Sequence, residues 1–167
     1  MTNSNENLQE AFAGESQASR KYLYFAEKAD KEGQTKIARL FRAASEAETV
    51  HARNHLKAMD AIGTTEDNLK AAVNGEQQEF TVMYPDFIKT AQAEKNTKAL
   101  ISFNWANKVE KVHHGLYEQA LEDLKANKKA DSKPYYVCQN CGHTVEGEAP
   151  DTCPICGASK AQFKKID

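Results

Sequence analysis

Two short stretches, ETVH at 48–51 and EKVH at 110–113, each set a glutamate three residues ahead of a histidine in a region of strong helix formers. Residues i and i+3 project from one side of an α-helix, so Glu48 with His51, and Glu110 with His113, can each offer a carboxylate oxygen and an imidazole nitrogen to one point. That mixed donor set is the chemistry of first-row metal ions. Three further glutamates, Glu15, Glu76 and Glu79, fall on helical stripes otherwise made of Leu, Phe, Tyr and Ala. Ionised carboxylates turned toward a core lose several kcal/mol of solvation each and repel one another, and no Arg or Lys shares the stripes near them. Metal cations are therefore expected, one for each pair.

A second constellation lies at the other end of the chain. All four cysteines fall between Cys138 and Cys156, and CQNCGH at 138–143 is echoed by CPICGA at 153–158. Two cysteines separated by two residues can grip one ion from a tight turn, and Gly142 and Gly157 permit the positive φ that points backbone amides at sulfur. Cys138, Cys141, Cys153 and Cys156 thus make a tetrahedral thiolate site for zinc or iron. Residues 135–167 are not basic, which removes the main reason to read a nucleic-acid-binding zinc ribbon. A redox-active metal pair upstream would need electrons, and iron is the more coherent occupant, with zinc as a substitute in purified protein.

The elements that must position these groups are helices. Residues 5–127 contain one proline, Pro85, and repeat apolar residues at steps of three and four. The first stripe runs from Leu8 to Ala29 and breaks around Gly33. The second runs from Ile37 through Phe41 and His51 to Ile62, stops at Gly63, and makes Leu40, Phe41 and Ala44 expected core residues. The third follows a Thr65 cap, with Pro85 expected to kink or interrupt it. The fourth runs from Leu100 to Leu124. Short connections make this an antiparallel four-helix bundle. The stretch ANKKADSKP at 126–134 loses the periodicity, so the domains are expected at 1–127 and 135–167, with a linker at 128–134. His55 reads as a core or supporting histidine, His114 as a solvated one, and Tyr22 and Tyr84 equally as core aromatics or as phenols beside the metals.

The 167 residues carry a net charge of -2 with a pI near 6.2, which gives no global reason to expect nucleic acid or an anionic membrane as partner. The polar start of the chain and the lack of an apolar run of about 20 residues point to a cytoplasmic protein.

The stretches AFAGESQASRKYLYFAEKA, ETVHARNH, EQQEFTVMYPDF, EKVHHGLY and YVCQNCGHTVEGEAPDTCPICGASKAQF closely resemble the rubrerythrin family over essentially the whole length. The resemblance implies a mainly α protein, a ferritin-like diiron bundle with a C-terminal rubredoxin-like domain. It also implies a peroxidase that reduces hydrogen peroxide to water in defence against oxidative stress. Electrons would come from NAD(P)H through separate proteins such as rubredoxin or its reductase. Carried over by motif, Glu15, Glu48, Glu76, Glu79, Glu110 and His113 would hold two irons, and His51 would exchange with Glu79 as the redox state changes. Tyr22 and Tyr84 fall at the family's tyrosines near the cluster. An iron-oxidising, iron-handling or oxygen-reducing ferritin-like protein is the alternative. Counting about 1.5 Å per residue, the fourth helix ends roughly 20 Å beyond His113, so electron delivery from a head-to-tail neighbour in a homodimer or higher homo-oligomer is expected, while a linker of about nine residues, spanning at most about 30 Å, also allows the module to fold back.

Overall fold

The computed structural model describes residues 3–128 and 133–167, in two compact units, Met1–Gly63 and Thr64–Asp167. The expected linker therefore lies largely outside the described residues. Among the described residues no helix is long and apolar enough to cross a membrane.

The first unit is a hairpin of α1 (Ser4–Lys31) and α2 (Thr35–Ala58). Its contact strip is made of small side chains, Ala26, Ala29, Ala38 and Ala52 with Ser19 and Ser45, all buried. Small residues let the two backbones approach, and the Ser45 hydroxyl donates to the Ser19 carbonyl at 2.7 Å across the interface. Phe41 packs against this strip as expected, but Leu40 is 69% exposed. A two-helix hairpin buries only the strip between its helices, which the periodicity of one helix does not reveal.

The second unit contains α3 (Thr65–Gln78), a π-helical segment (Glu79–Met83), α4 (Tyr84–Ala93) and α5 (Thr97–Lys125), followed by the cysteine module. Pro85 was expected to kink or interrupt the third helix, and the π segment is how that happens. A proline cannot donate its amide and its ring crowds the carbonyl four residues back, so the chain widens for one turn just before it. Both α3 and α4 remain packed on α5. The module is a small antiparallel sheet in the order β2-β1-β3, from β1 (Tyr135–Cys138), β2 (Thr144–Glu146) and β3 (Phe163–Ile166).

The helix boundaries have local causes. Asn3 and Thr64, the latter one residue before the cap expected at Thr65, each form a reciprocal capping box with the residue three further on, Glu6 and Asp67. At the C-termini of α1, α2, α4 and α5 a left-handed residue closes the last turn: Gly33, Asp60, Lys95 and Asn127. In each case the following amide bonds the carbonyl five residues back, as in Ala61 N–H to Leu56 O at 3.1 Å. Asp60 therefore ends α2 at Ala58, short of the expected Gly63, and Ile62 lies outside the helix. A side chain in the left-handed region costs about 1 kcal/mol that glycine does not carry. Lys95→Gly is expected to raise stability by about that amount in denaturant unfolding, whereas Lys95→Ala should not.

Candidate metal centres

Each helical unit brings three of the expected ligands together. In the first, Glu15 from α1 joins Glu48 and His51 from α2. The His51 Nδ1 lies 2.7 Å from Glu48 Oε2 and 3.8 Å from Glu15 Oε1. In the second, Glu76 from α3 joins Glu110 and His113 from α5, with His113 Nδ1 2.8 Å from Glu110 Oε2 and 3.8 Å from Glu76 Oε1. The two groups repeat one geometry, a glutamate from one helix facing a Glu-x-x-His pair on its neighbour. Within each group the donor atoms lie within 4.8 Å of one another, close enough for one ion to take all three.

Their surroundings differ. The His51 side chain is 54% exposed, where the helical stripe placed it inward. His113 is only 26% exposed, and its hydrogen bond to Glu110 raises its pKa. Burial, and then the nearby Glu110 carboxylate, push Glu76 up to about 7. Carboxyls in that state are held by protons until a metal replaces them.

Glu79 opens the π segment and stands outside the close group of three, yet burial and Glu110 both raise its pKa, which places it in the same field. Tyr84 follows that segment. Burial, followed by Glu110, Glu79 and Glu76, keeps its phenol protonated, so it can serve as a hydrogen-bond donor beside the acids. Tyr22 sits two turns after Glu15 on α1, with its ring centroid 6.2 Å from Phe25 and 6.1 Å from Phe41. His55 lies in the last turn of α2, away from the Glu15, Glu48 and His51 group. His114, expected to be solvated, is 14% exposed, with its ring edge-on to Phe80 at 5.3 Å and Nδ1 3.2 Å from Glu118.

The four cysteines form the third group. Cys138 and Cys156 sulfurs are 3.8 Å apart, and Cys141 and Cys153 sulfurs 3.6 Å apart. Metal–sulfur bonds of about 2.3 Å put tetrahedral neighbours roughly 3.8 Å apart, so the cage fits an iron or zinc ion. The internal repeat is visible in the backbone. Gly142 N–H donates to Cys138 O at 2.8 Å and Gly157 N–H to Cys153 O at 2.9 Å, with φ of 84° and 77°. These turns aim amides at sulfur: His143 at Cys141, Ile155 and Cys156 at Cys153, and Ala158 at Cys156. Burial raises Cys141 and Cys153. At Cys156 burial is outweighed by hydrogen bonds from the Asn140 side chain and Ala158, which bring it down to about 7.

The module folds back onto α5 instead of lying beyond its end. A Cβ on Gly142 would stand 3.8 Å from Val109, and Thr144 Oγ1 lies 2.9 Å from His113 Nε2. Head-to-tail delivery, expected from a helix-length distance of roughly 20 Å, is thus not required. Thr144 escaped the sequence reading because a lone threonine after a knuckle carries no spacing signal.

Protonated Glu76 and His113 give metal loading a definite pH dependence. Both carry protons that a metal must expel, so affinity at the glutamate–histidine ligands should fall as pH drops through about 7. Calorimetric Fe(II) titrations in buffers of different ionisation enthalpy should show more protons released at about pH 6 than at about pH 8. Affinity and proton release that stay constant over that range would contradict the assignment.

Both parts of the chain are similar to known proteins. The Rubrerythrin family profile matches residues 6–121, and the profile for the rubredoxin-like domain of rubrerythrin matches residues 136–164. Rubrerythrin-2 of Clostridium acetobutylicum is 34% identical over 94% of this chain and 93% of its own length. Nigerythrin of Nitratidesulfovibrio vulgaris is 36% identical over 95% of this chain and 84% of its own. The solved partially reduced and fully reduced, all-ferrous states of nigerythrin each align at TM-score 0.59 and 34% identity, covering 99% of this chain and 88% of theirs. The acid–histidine groups are the candidate ligands of a diiron carboxylate centre and the cysteines those of a rubredoxin-like iron site, and the chain belongs to the rubrerythrin family.

Proposed function

We propose that this chain is a non-haem diiron peroxidase of the cytoplasm that reduces hydrogen peroxide to water. Its electrons would come from NAD(P)H by way of a separate donor such as rubredoxin or its reductase. The observation that carries this reading is the 2.9 Å contact between His113, a ligand in the helical site, and Thr144 of the cysteine module. An iron-storage bundle has no need of an electron-accepting site built against one of its own ligands.

When bound, the iron pair supplies the two electrons that, with two protons, convert one hydrogen peroxide to two waters. The residues of this chain do the rest. Glu15, Glu48, Glu76, Glu79 and Glu110 with His113 hold the charge of the pair, and carboxylates favour its more oxidised form. His51, half-exposed, would take the place of Glu79 as a ligand in the reduced form. Glu76, pushed up to about 7 by burial, can hold a proton near neutral pH, burial shifts Glu79 in the same direction, and Tyr84 keeps its hydroxyl proton available for hydrogen bonding. Tyr22, on α1 of the first unit, would contribute a second phenol.

We read the chain as at least a homodimer, because α1 and α2 leave Phe25, Ile37 and Leu40 exposed. Within that assembly the route from the cysteine iron to His113 runs inside one chain. Mixing subunits carrying Cys138→Ser with subunits carrying Glu110→Ala should therefore fail to restore turnover. Restored activity would establish transfer between chains.

Reduced protein mixed anaerobically with peroxide should reoxidise its iron–thiolate band faster than with oxygen. Glu79→Ala should slow peroxide turnover by at least about tenfold, and unchanged kinetics would remove Glu79 from the mechanism. Preferential oxidation by oxygen, or catalytic oxidation of added Fe(II), would support the iron-handling alternative.

A further inference from the structure

We propose that Thr144 is a positioning residue of the diiron centre, its hydroxyl fixing the His113 imidazole so that Nδ1 serves as the metal donor. The inference rests on the metal-site reading above and assigns a role to a residue that is not itself a ligand.

The hydrogen-bond directions carry the argument. The Thr144 hydroxyl donates to the Gly142 carbonyl at 3.1 Å, which commits its one proton. Only its lone pairs remain for the imidazole. The 2.9 Å contact to His113 must then be Nε2–H donating to Thr144 Oγ1. With the proton held at Nε2, the remaining nitrogen, Nδ1, is the one turned toward Glu110 and Glu76 at 2.8 Å and 3.8 Å. A metal entering among those oxygens displaces the proton that Glu110 holds on Nδ1 and finds that nitrogen already aimed at it. Metal-bound histidines commonly donate their second N–H to a partner that fixes ring orientation, and loss of such partners typically weakens metal binding by about 10–100-fold.

The partner is unusual in its origin. Thr144 opens β2, two residues after the first knuckle glycine, so the four-cysteine loop itself carries the group that orients a ligand on α5. Val109, one turn before His113, is 2% exposed and packs beside Gly142, which fixes the loop on the helix. The counterpart His51 is half-exposed and lies in the other unit, where its near neighbours are Glu48 and Glu15. The two Glu-x-x-His pairs are thus chemically alike but differently supported. The pair on α5 is built as the rigid one.

The test uses the full chain with its four-cysteine site loaded and its glutamate–histidine ligands emptied by chelation. In anaerobic Co(II) titrations followed by visible absorption, Thr144→Val should bind about 10–100-fold more weakly than wild type, and Thr144→Ser should recover to within a few-fold. In the zinc-loaded wild-type protein labelled with 15N-histidine, His113 should show a slowly exchanging Nε2–H resonance with its Nδ1 bound to metal. That resonance should exchange rapidly in Thr144→Val and be protected again in Thr144→Ser. Metal bound through Nε2 in the wild type overturns the proposal by itself, whether or not the variants fold. Co(II) affinity in Thr144→Val equal to wild type also overturns it, since the Gly142 carbonyl, which also faces the imidazole, would then suffice. None of these readouts depends on peroxide turnover, so the peroxidase assignment stands or falls separately.

Discussion

Carboxylates packed against one another on a helical face cannot all remain ionised without a cation, and most of this structure follows from that constraint. Glu76 shows it directly, held near a pKa of about 7 by burial and by Glu110. Protons can neutralise such a group, but they make it only an acid. A metal neutralises it and gains ligands whose orientation the helices have already fixed. The i, i+3 spacing of Glu48 with His51 and of Glu110 with His113 is the simplest way to set oxygen and nitrogen side by side. The facing glutamate on the neighbouring helix completes the group in both units at nearly equal distances.

What was legible in the sequence is what depends on short-range spacing. Helix periodicity, Glu-x-x-His pairs and cysteine knuckles are local patterns, and the ligand groups among the described residues contain the residues those patterns name. What was not legible depends on what lies across from a side chain. Leu40 and His51 are exposed because the strip of α2 buried against α1 runs through Ala38, Ser45 and Ala52, a step round the helix from the stripe that the larger apolar residues mark. His114 fell outside the stripe and is mostly buried, since Phe80 of the π segment reaches over it. The ends of α2, α4 and α5 were blurred because Asp60, Lys95 and Asn127 take left-handed positions where glycine is the usual signal.

The π segment ties Glu79 to the fold. Pro85 forces one widened turn, and Glu79 stands at its start, displaced from the register that Glu76 occupies on regular helix. A π turn is a strained element that folds retain where it re-aims a side chain. Here it leaves Glu79 within the field of Glu110 and His113 but outside the close group of three candidate ligands. Tyr84, the first residue after the segment, is swung by the same turn into the same field.

The cysteine cage adds an order of events. Cys138 and Cys153 are buried, while Cys141 and Cys156, the second cysteine of each knuckle, are partly exposed. Burial holds the Cys141 and Cys153 thiols protonated, whereas Cys156 ionises near neutrality under the hydrogen bonds of Asn140 and Ala158. A thiolate, not a thiol, binds metal, so Cys156 is the sulfur readiest for an incoming ion, and binding must displace the protons that burial holds on Cys141 and Cys153. The amides that then surround the sulfurs offset the negative charge of the reduced cage, and their number and direction tune its potential. Because His143, which donates to Cys141, is followed directly by Thr144, closing the cage around its iron also settles the strand that carries the hydroxyl against His113. The four-cysteine cage and the ligand group on α5 are thereby joined through one short segment, Cys141 to Thr144.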